Sequence, residues 1–514
     1  MSAAWNCTPG TRNHQLVTSN DPPSDSEVSD FLDISADIAA RIKAVDEEIH
    51  ALRSRLKVFE QEQSLLYDRR MKAQRVLAPI RRLPPELLAE IFSMTMPPVY
   101  IRSGYIPVGS NLSPWSLMHV CRHWRAVASS TPSLWEVIAM LYDKSENEPV
   151  YPLRLLEAHL QLARSLRIDF WAHDNEESER QKNAFILLAK HSEKWVELNI
   201  GMKAGLYPIL NGLCGRLNSL RKAWLRCDDD RGLVPSPPPI VCFEGAPVLT
   251  DLGLKNMTYH SQVAAPFRQL QRYYLRTEWY GHTHVLQDLS AVAEARIIVD
   301  VDHVSTNGLA RRIHFPFLRR LSVSHGAILD AIDAPELSQI ALESYELERA
   351  SLISSLNSLV AHSSCQLQRL AIYGIPQSET TIQLLHQFPS LEHLCLIWDE
   401  DRAGDIMQND VDTIVSALMI TATGPILTPR LRILSFAWEA VAQVDYRLLA
   451  RMARARWKSE SCRLERMEIL RGQSEEGSEG LLDPLRMLRD AGMDLVWLEG
   501  GAAHNVMDRY HFAS

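Results

Sequence analysis

The chain has 514 residues, more than one hydrophobic core normally supports, so two or more structural units are expected. A net charge of −9, from 54 basic against 63 acidic residues, argues weakly against a nucleic-acid binder, which usually shows a basic patch. Eight cysteines run from Cys7 to Cys462 with no C-x-x-C pair, the usage of a reducing compartment rather than of a disulfide framework. No secretory leader opens the chain and no apolar run reaches about eighteen residues, so the expectation is a cytoplasmic or nuclear protein with no membrane partner.

Residues 1–30 are Ser, Asp, Asn, Thr and Pro with few apolar anchors, and predict a disordered N-terminus. Over 31–77 the pattern changes. Ile38, Ile42, Val45, Ile49, Leu52, Leu56 and Phe59 follow in alternating four- and three-residue steps, continued by Gln63, Leu66, Arg70 and Ala73. This is a coiled-coil seam with Ile42, Ile49 and Leu56 at position a and Ile38, Val45, Leu52, Phe59 and Leu66 at position d. In a parallel in-register dimer, Arg41 would face Asp46, Glu48 would face Arg53 and Arg55 would face Glu60, all attractive. The spacing therefore predicts either a parallel homodimer through residues 38–66 or a single amphipathic helix folded back on the chain's own domains. Ala78-Pro79 ends the helix, because the residue before proline is pushed out of the α region.

Residues 79–140 hold two short proline-started segments. LPPELLAEIF, Leu83–Phe92, predicts a helix with Leu83, Leu87 and Ile91 on one stripe and Leu88 and Phe92 beside it. After an insert covering Tyr100–Leu112, Pro114 starts a second helix expected to run through Ala128, with Leu117, Val120, Cys121, Trp124 and Val127 on its apolar face. Helices this short bury too little surface to stand alone, so they want a partner or a neighbouring domain to cap.

From 150 to 500 the recurring unit is L-x-x-L-x-L, as in LQRYYL (Leu270–Leu275), LRRLSV (Leu318–Val323), LQRLAI (Leu367–Ile372) and LEHLCL (Leu391–Leu396), with looser copies at Leu217–Leu220 and Val292–Ile297. Each unit reads as a short strand whose apolar face only stacked neighbours can cover, with its first Leu anchoring the turn before it. Helical stretches such as Ile382–His386 and Tyr446–Trp457 lie between, and DLVWLE (Asp494–Glu499) reads as a closing strand. The fold class is an α/β leucine-rich-repeat solenoid, an irregular horseshoe, preceded by a small all-α bundle and a long coiled-coil helix. Residues 501–514 are left as a C-terminal tail.

The layout of a coiled-coil leader, then L-A-P-I-R-R-L-P-P-E, then C-R-x-W-R-x-V-A-x-x-T-P-x-L-W, then irregular leucine-rich repeats resembles the large family of fungal F-box proteins. The resemblance implies a substrate-recognition subunit of an SCF (cullin-RING) ubiquitin ligase, whose F-box docks on a Skp adaptor and whose repeats present a protein substrate. Carried onto this chain, the adaptor-binding residues are Leu83, Pro84, Leu87, Leu88, Ile91, Val120, Cys121, Trp124 and Val127. The insert between the two helices departs from the family's pattern. The competing reading is a non-catalytic scaffold with no role in ubiquitin transfer.

No residue set predicts catalysis, and no cofactor or metal is expected. His119 and His123 share a helix face without a second ligand pair, and Asp300-Val301-Asp302-His303 lacks the rest of a calcium loop. The segments just after several strands are acidic and carry aromatics: Trp171, the run Asp228, Asp229 and Asp230, and Trp398 with Asp399 and Asp401. These are the candidate rim for a basic segment of a protein substrate.

Overall fold

In a computed structural model, residues 7–96, 114–142, 152–172, 179–202, 204–227, 239–255, 263–277, 279–299, 312–344, 349–374, 377–398, 405–420, 426–438, 444–472 and 483–510 are described. They fall into two compact units, Met1–Leu88 and Ala89–Ser514.

The first unit is built on one helix, Asp25–Leu77, of 53 residues, about 80 Å long at 1.5 Å per residue. It starts earlier than the heptads suggest because Ser24 and Glu27 form a capping box, each side chain meeting the other's backbone N–H. A short helix, Arg12–Thr18, precedes it, and the Arg12 Nε donates to Glu27 at 3.1 Å. The expectation of disorder through residue 30 is thus corrected for the described residues: Thr11 and Ser24 are helix N-caps, a role their side-chain oxygens suit. No residue of the long helix is buried.

The second unit carries strands β1 (Val137–Tyr142), β2 (Leu166–Ala172), β3 (Trp195–Met202), β4 (Lys222–Cys227), β5 (Asp251–Lys255), β6 (Arg272–Thr277), β7 (Glu294–Val299) and β8 (Ile313–His314). They are followed by β9 (Arg320–Val323), β10 (Ile332–Asp333), β11 (Gln339–Ser344), β12 (Arg369–Gly374), β13 (His393–Trp398), β14 (Ile433–Trp438), β15 (Arg466–Arg471) and β16 (Asp494–Glu499). Fourteen of them form one sheet in strict chain order, with β8 and β10 pairing apart. Every neighbouring pair in the large sheet is parallel, as in Gln339↔Arg369 and Arg369↔His393. Parallel neighbours demand crossovers, and crossovers of one hand put the connecting helices on one face.

Most L-x-x-L-x-L units deliver the strand two residues after the first Leu, as at Leu270 and Arg272 or Leu367 and Arg369. Leu270, Leu318, Leu337, Leu367, Leu391, Leu431 and Leu464 are all buried at those turns. There one backbone carbonyl takes two N–H donors from the next unit. Thr250 O accepts from Gln271 and Arg272, Gln271 O from Ala293 and Glu294, and Ala293 O from Arg319 and Arg320. This ladder satisfies the turn's backbone groups and locks neighbouring units in register. The helix Tyr446–Trp457 falls where the sequence puts it, and Ser378–Gln387 encloses the expected Ile382–His386.

Two boundaries differ from expectation. The sheet begins at Val137, inside the stretch read as the helical bundle, because β1 pairs with β2 from Val137↔Arg167 to Tyr142↔Ala172. The tail after residue 500 is not a tail: Gly501–Tyr510 is a helix whose Ala503, Met507 and Tyr510 are buried in a cluster with Ala341, Ala371, Cys395, Ala437 and Leu470. Those strand positions alternate with Leu370, Ile372, Leu394 and Leu396, so the helix covers the sheet face opposite the connecting helices.

Candidate functional site: a proline-started helical region and the face of the sheet

In the first proline-started segment, Leu83 is half-buried and Pro84 exposed, and the helix Pro85–Thr95 follows. Its two faces divide the apolar residues. Leu88 and Phe92 are buried at 0% and 1% exposure, whereas Leu87, Ile91 and Met94 stand out at 48%, 38% and 75%. Residues at i, i+4 and i+7 share a helix face, so this is one apolar stripe left in solvent.

The second segment is not one helix. Pro114–Val120 and Arg122–Ser129 are separated by Cys121, whose backbone is extended (φ −161°, ψ 172°). Its Sγ accepts from the Trp124 N–H at 3.4 Å, capping the second helix, and Arg125 Nε donates to the Met118 carbonyl at 2.9 Å. A single stripe from Leu117 to Val127 is therefore broken. Val120 and Cys121 are exposed, Trp124 is half-buried against Phe92 with ring centres 4.8 Å apart, and Val127 is 4% exposed. Leu88 and Val127, expected among the contacts, are thus buried, at 0% and 4% exposure.

The end of the region is anchored by Trp135, which is fully buried. Its Nε1 donates to the Ala128 carbonyl at 2.8 Å, and its own carbonyl lies 2.8 Å from His159 Nε2. Burial lowers the His159 imidazole to about 4, although the bond to Trp135 pulls the other way. It is therefore neutral near pH 7 and donates Nε2–H to that carbonyl.

The sheet face opposite the connecting helices offers a second surface. Its first row alternates in charge strand by strand, with Lys222 beside Glu197 at 3.3 Å, Arg272 between Asp251 at 3.4 Å and Glu294 at 3.3 Å, and Arg320 on Glu294 at 3.1 Å. The next row carries Trp224 and Tyr274 toward the sheet's N-terminal side, with Trp171 and Arg226 standing one row beyond. Trp171 lies over Gly201, where a Cβ would come within 2.7 Å of the ring, and Trp224 lies over Gly253 more closely still. Arg226 faces the Trp171 ring at 5.9 Å and Arg296 faces Tyr274 at 4.9 Å, while Arg296 also pairs with Glu343 at 2.6 Å. Asp169, bonded to the Trp171 indole, is pushed up to about 7 by burial, against the hydrogen bonds from Trp171 and Asn199.

Toward the sheet's C-terminal side the same row turns small, with Ala341, Ala371 and Cys395, and the helix Gly501–Tyr510 occupies the space. Sequence reasoning missed this cover. Of the rim candidates, Trp171 is half-buried beside Asp169. Trp398 is corrected: it ends β13 at 1% exposure, stacked on Phe436 at 6.2 Å, and is core. Asp228, Asp229, Asp230, Asp399 and Asp401 lie outside the described residues.

Among the described residues, no group of three or more His, Cys, Asp or Glu is placed to hold a metal ion, and no helix is long and apolar enough to cross a membrane.

The site is a small helical region that opens on the Leu83-Pro84 step, closes on the buried Trp135 and leads into the parallel sheet. Residues 80–140 match the model of the F-box-like family, so the chain carries an F-box-like domain over that stretch. No curated protein matches the chain.

Proposed function

We propose that this chain is the substrate-recognition subunit of an SCF-type ubiquitin ligase. Its F-box-like domain docks on a Skp adaptor through Leu83, Pro84, Leu87, Ile91, Val120, Cys121 and Trp124, with Leu88 and Val127 supporting them from inside. The sheet unit acts as an irregular leucine-rich-repeat horseshoe that holds a protein substrate. No side chain is assigned a catalytic role; ubiquitin transfer belongs to other subunits, and this chain contributes proximity.

The observation that carries this reading is the family match over residues 80–140, joined to a helix that leaves Leu87 and Ile91 in solvent while burying Leu88 and Phe92. An exposed apolar stripe on a short helix is the form of a helix that completes its core on a partner. For the substrate, the acidic residues Asp228, Asp229, Asp230, Asp399 and Asp401 support a basic segment.

Proteins cross-linked to the chain in cells should become longer-lived when it is depleted, and lose cross-linking when those five aspartates are changed to Lys. Unchanged half-lives for every partner would leave a scaffold without a ubiquitin role. Unchanged cross-linking would remove the basic-segment assignment alone.

A further inference from the structure

The long helix Asp25–Leu77 carries an apolar seam in which no residue is buried. Ile38, Ile42, Val45, Ile49, Leu52, Leu56, Phe59 and Leu66 are each between 39% and 58% exposed. Most helices in proteins owe their stability to a buried apolar face, and 53 residues with no buried side chain lack that support. The seam keeps the 3.5-residue period of a coiled coil over four heptads rather than the 3.6-residue period of a helix lying on a globular core.

From this we infer that the helix is one strand of a parallel, in-register two-stranded coiled coil, and that its partner is a second copy of this chain. Charge selects the register. With the copies aligned, Arg41 meets the partner's Asp46, Glu48 the partner's Arg53 and Arg55 the partner's Glu60, each pair twice by symmetry. Slipping one copy by a heptad sets Arg41 against Arg53 and Glu48 against Glu60, so neighbouring parallel registers are repelled.

The same alternation of charge also suits an antiparallel pairing, so orientation is decided by the seam itself. In any antiparallel coil an a residue meets a d residue. Gln63, at a, would then lose its amide against one of the apolar d residues, such as Ile38 or Val45. In the parallel coil Gln63 meets its own copy, and the two amides hydrogen-bond across the seam, as polar a-position residues do when they fix orientation. Each particle would then carry two F-box-like domains and two sheet units, so a substrate with two copies of its signal would bind by avidity.

The test is sedimentation of the full chain at micromolar concentration. The expected particle has twice the chain mass of 58.3 kDa. Ile49→Glu with Leu52→Glu should return it to one chain mass. These side chains are solvent-exposed in the single chain, so the melting of the sheet unit should not move. Glu48→Arg alone should weaken the dimer about tenfold, and adding Arg53→Glu should restore it. Under mild oxidation Leu52→Cys should cross-link to its own copy, while Glu47→Cys, on the outer face, should not.

A single chain mass for the unsubstituted protein overturns the proposal, and so does a dimer indifferent to Ile49→Glu with Leu52→Glu. A dimer lost on those substitutions but not cross-linked through Leu52→Cys overturns the parallel arrangement. Skp-adaptor binding by the dimer-breaking variant reads the F-box function separately.

Discussion

The Tyr510 hydroxyl lies 2.8 Å from Ser435 Oγ, which ties the last helix of the chain to the middle of β14. Both groups meet the Glu468 carboxylate, Ser435 at 2.9 Å, and Arg369 lies 4.5 Å from the Tyr510 ring centre. This polar knot sits among otherwise apolar contacts from Ala503 and Met507. It fixes where the helix stops on the sheet.

Tyr510→Phe keeps the ring and removes the hydroxyl, leaving Glu468 with one donor fewer in a buried setting. The variant should lose about 1–3 kcal/mol at pH 7. Burial raises Glu468, but the bonds from Tyr510 and Ser435 and the charge of Arg466 hold it below the usual carboxylate range. A carboxyl depressed on folding contributes stability above its unfolded value and loses it as pH falls through the folded one. The gap between the two proteins should therefore narrow in acid. Urea midpoints at pH 7 and pH 3 measure it.

His159 makes a second acid-sensitive point. Folding lowers its imidazole from an ordinary 6.5 to about 4, so the unfolded chain takes up the proton first. Stability is complete above about pH 6.5 and falls by about 3 kcal/mol by pH 4. His159→Gln should flatten this part of the pH–stability curve, as followed by thermal melts across pH 4–7.

Gly253 is required by what lies over it. A Cβ there would enter the Trp224 ring, so Gly253→Ala should cost about 1–3 kcal/mol through overpacking. Combining it with Trp224→Ala should cost less than the sum of the two single changes, because the clash is gone. A double-mutant cycle by chemical denaturation gives the coupling.

Adjacent leucines in the F-box-like helix should behave oppositely. Leu88→Ala removes a fully buried side chain and should cost about 2–5 kcal/mol. Leu87→Glu changes an exposed one and should leave stability within about 0.5 kcal/mol while abolishing adaptor binding. Denaturation and adaptor pull-down on the same two variants separate the roles.

These contrasts also show what a sequence can and cannot tell. The strands are readable because one rule recurs along most of the sheet: a buried first Leu, two residues, then a strand, as at Leu367 and Arg369 or Leu391 and His393. The Ser24–Glu27 capping box is equally visible in S-x-x-E, but the polar composition around it points to disorder. Ala503, Val506, Met507 and Tyr510 have helical spacing, yet ten residues at a chain end give no hint that Ala341 and Ala371 leave room for them on the sheet. The break at Cys121 rests on a thiol acting as a helix cap, which no propensity scale anticipates. Aromatics near acidic turns suggested a rim, but Trp398 is the last inward-facing residue of its strand, and only the register reveals that.

The most direct test of the function is co-expression of the full chain with a Skp adaptor, followed by size-exclusion chromatography, beside a variant carrying Leu87→Glu and Ile91→Glu. The account predicts a stable complex for the unsubstituted chain and a folded, uncomplexed chain for the variant. A folded chain that never co-elutes with the adaptor, or a complex untouched by the two substitutions, would contradict it.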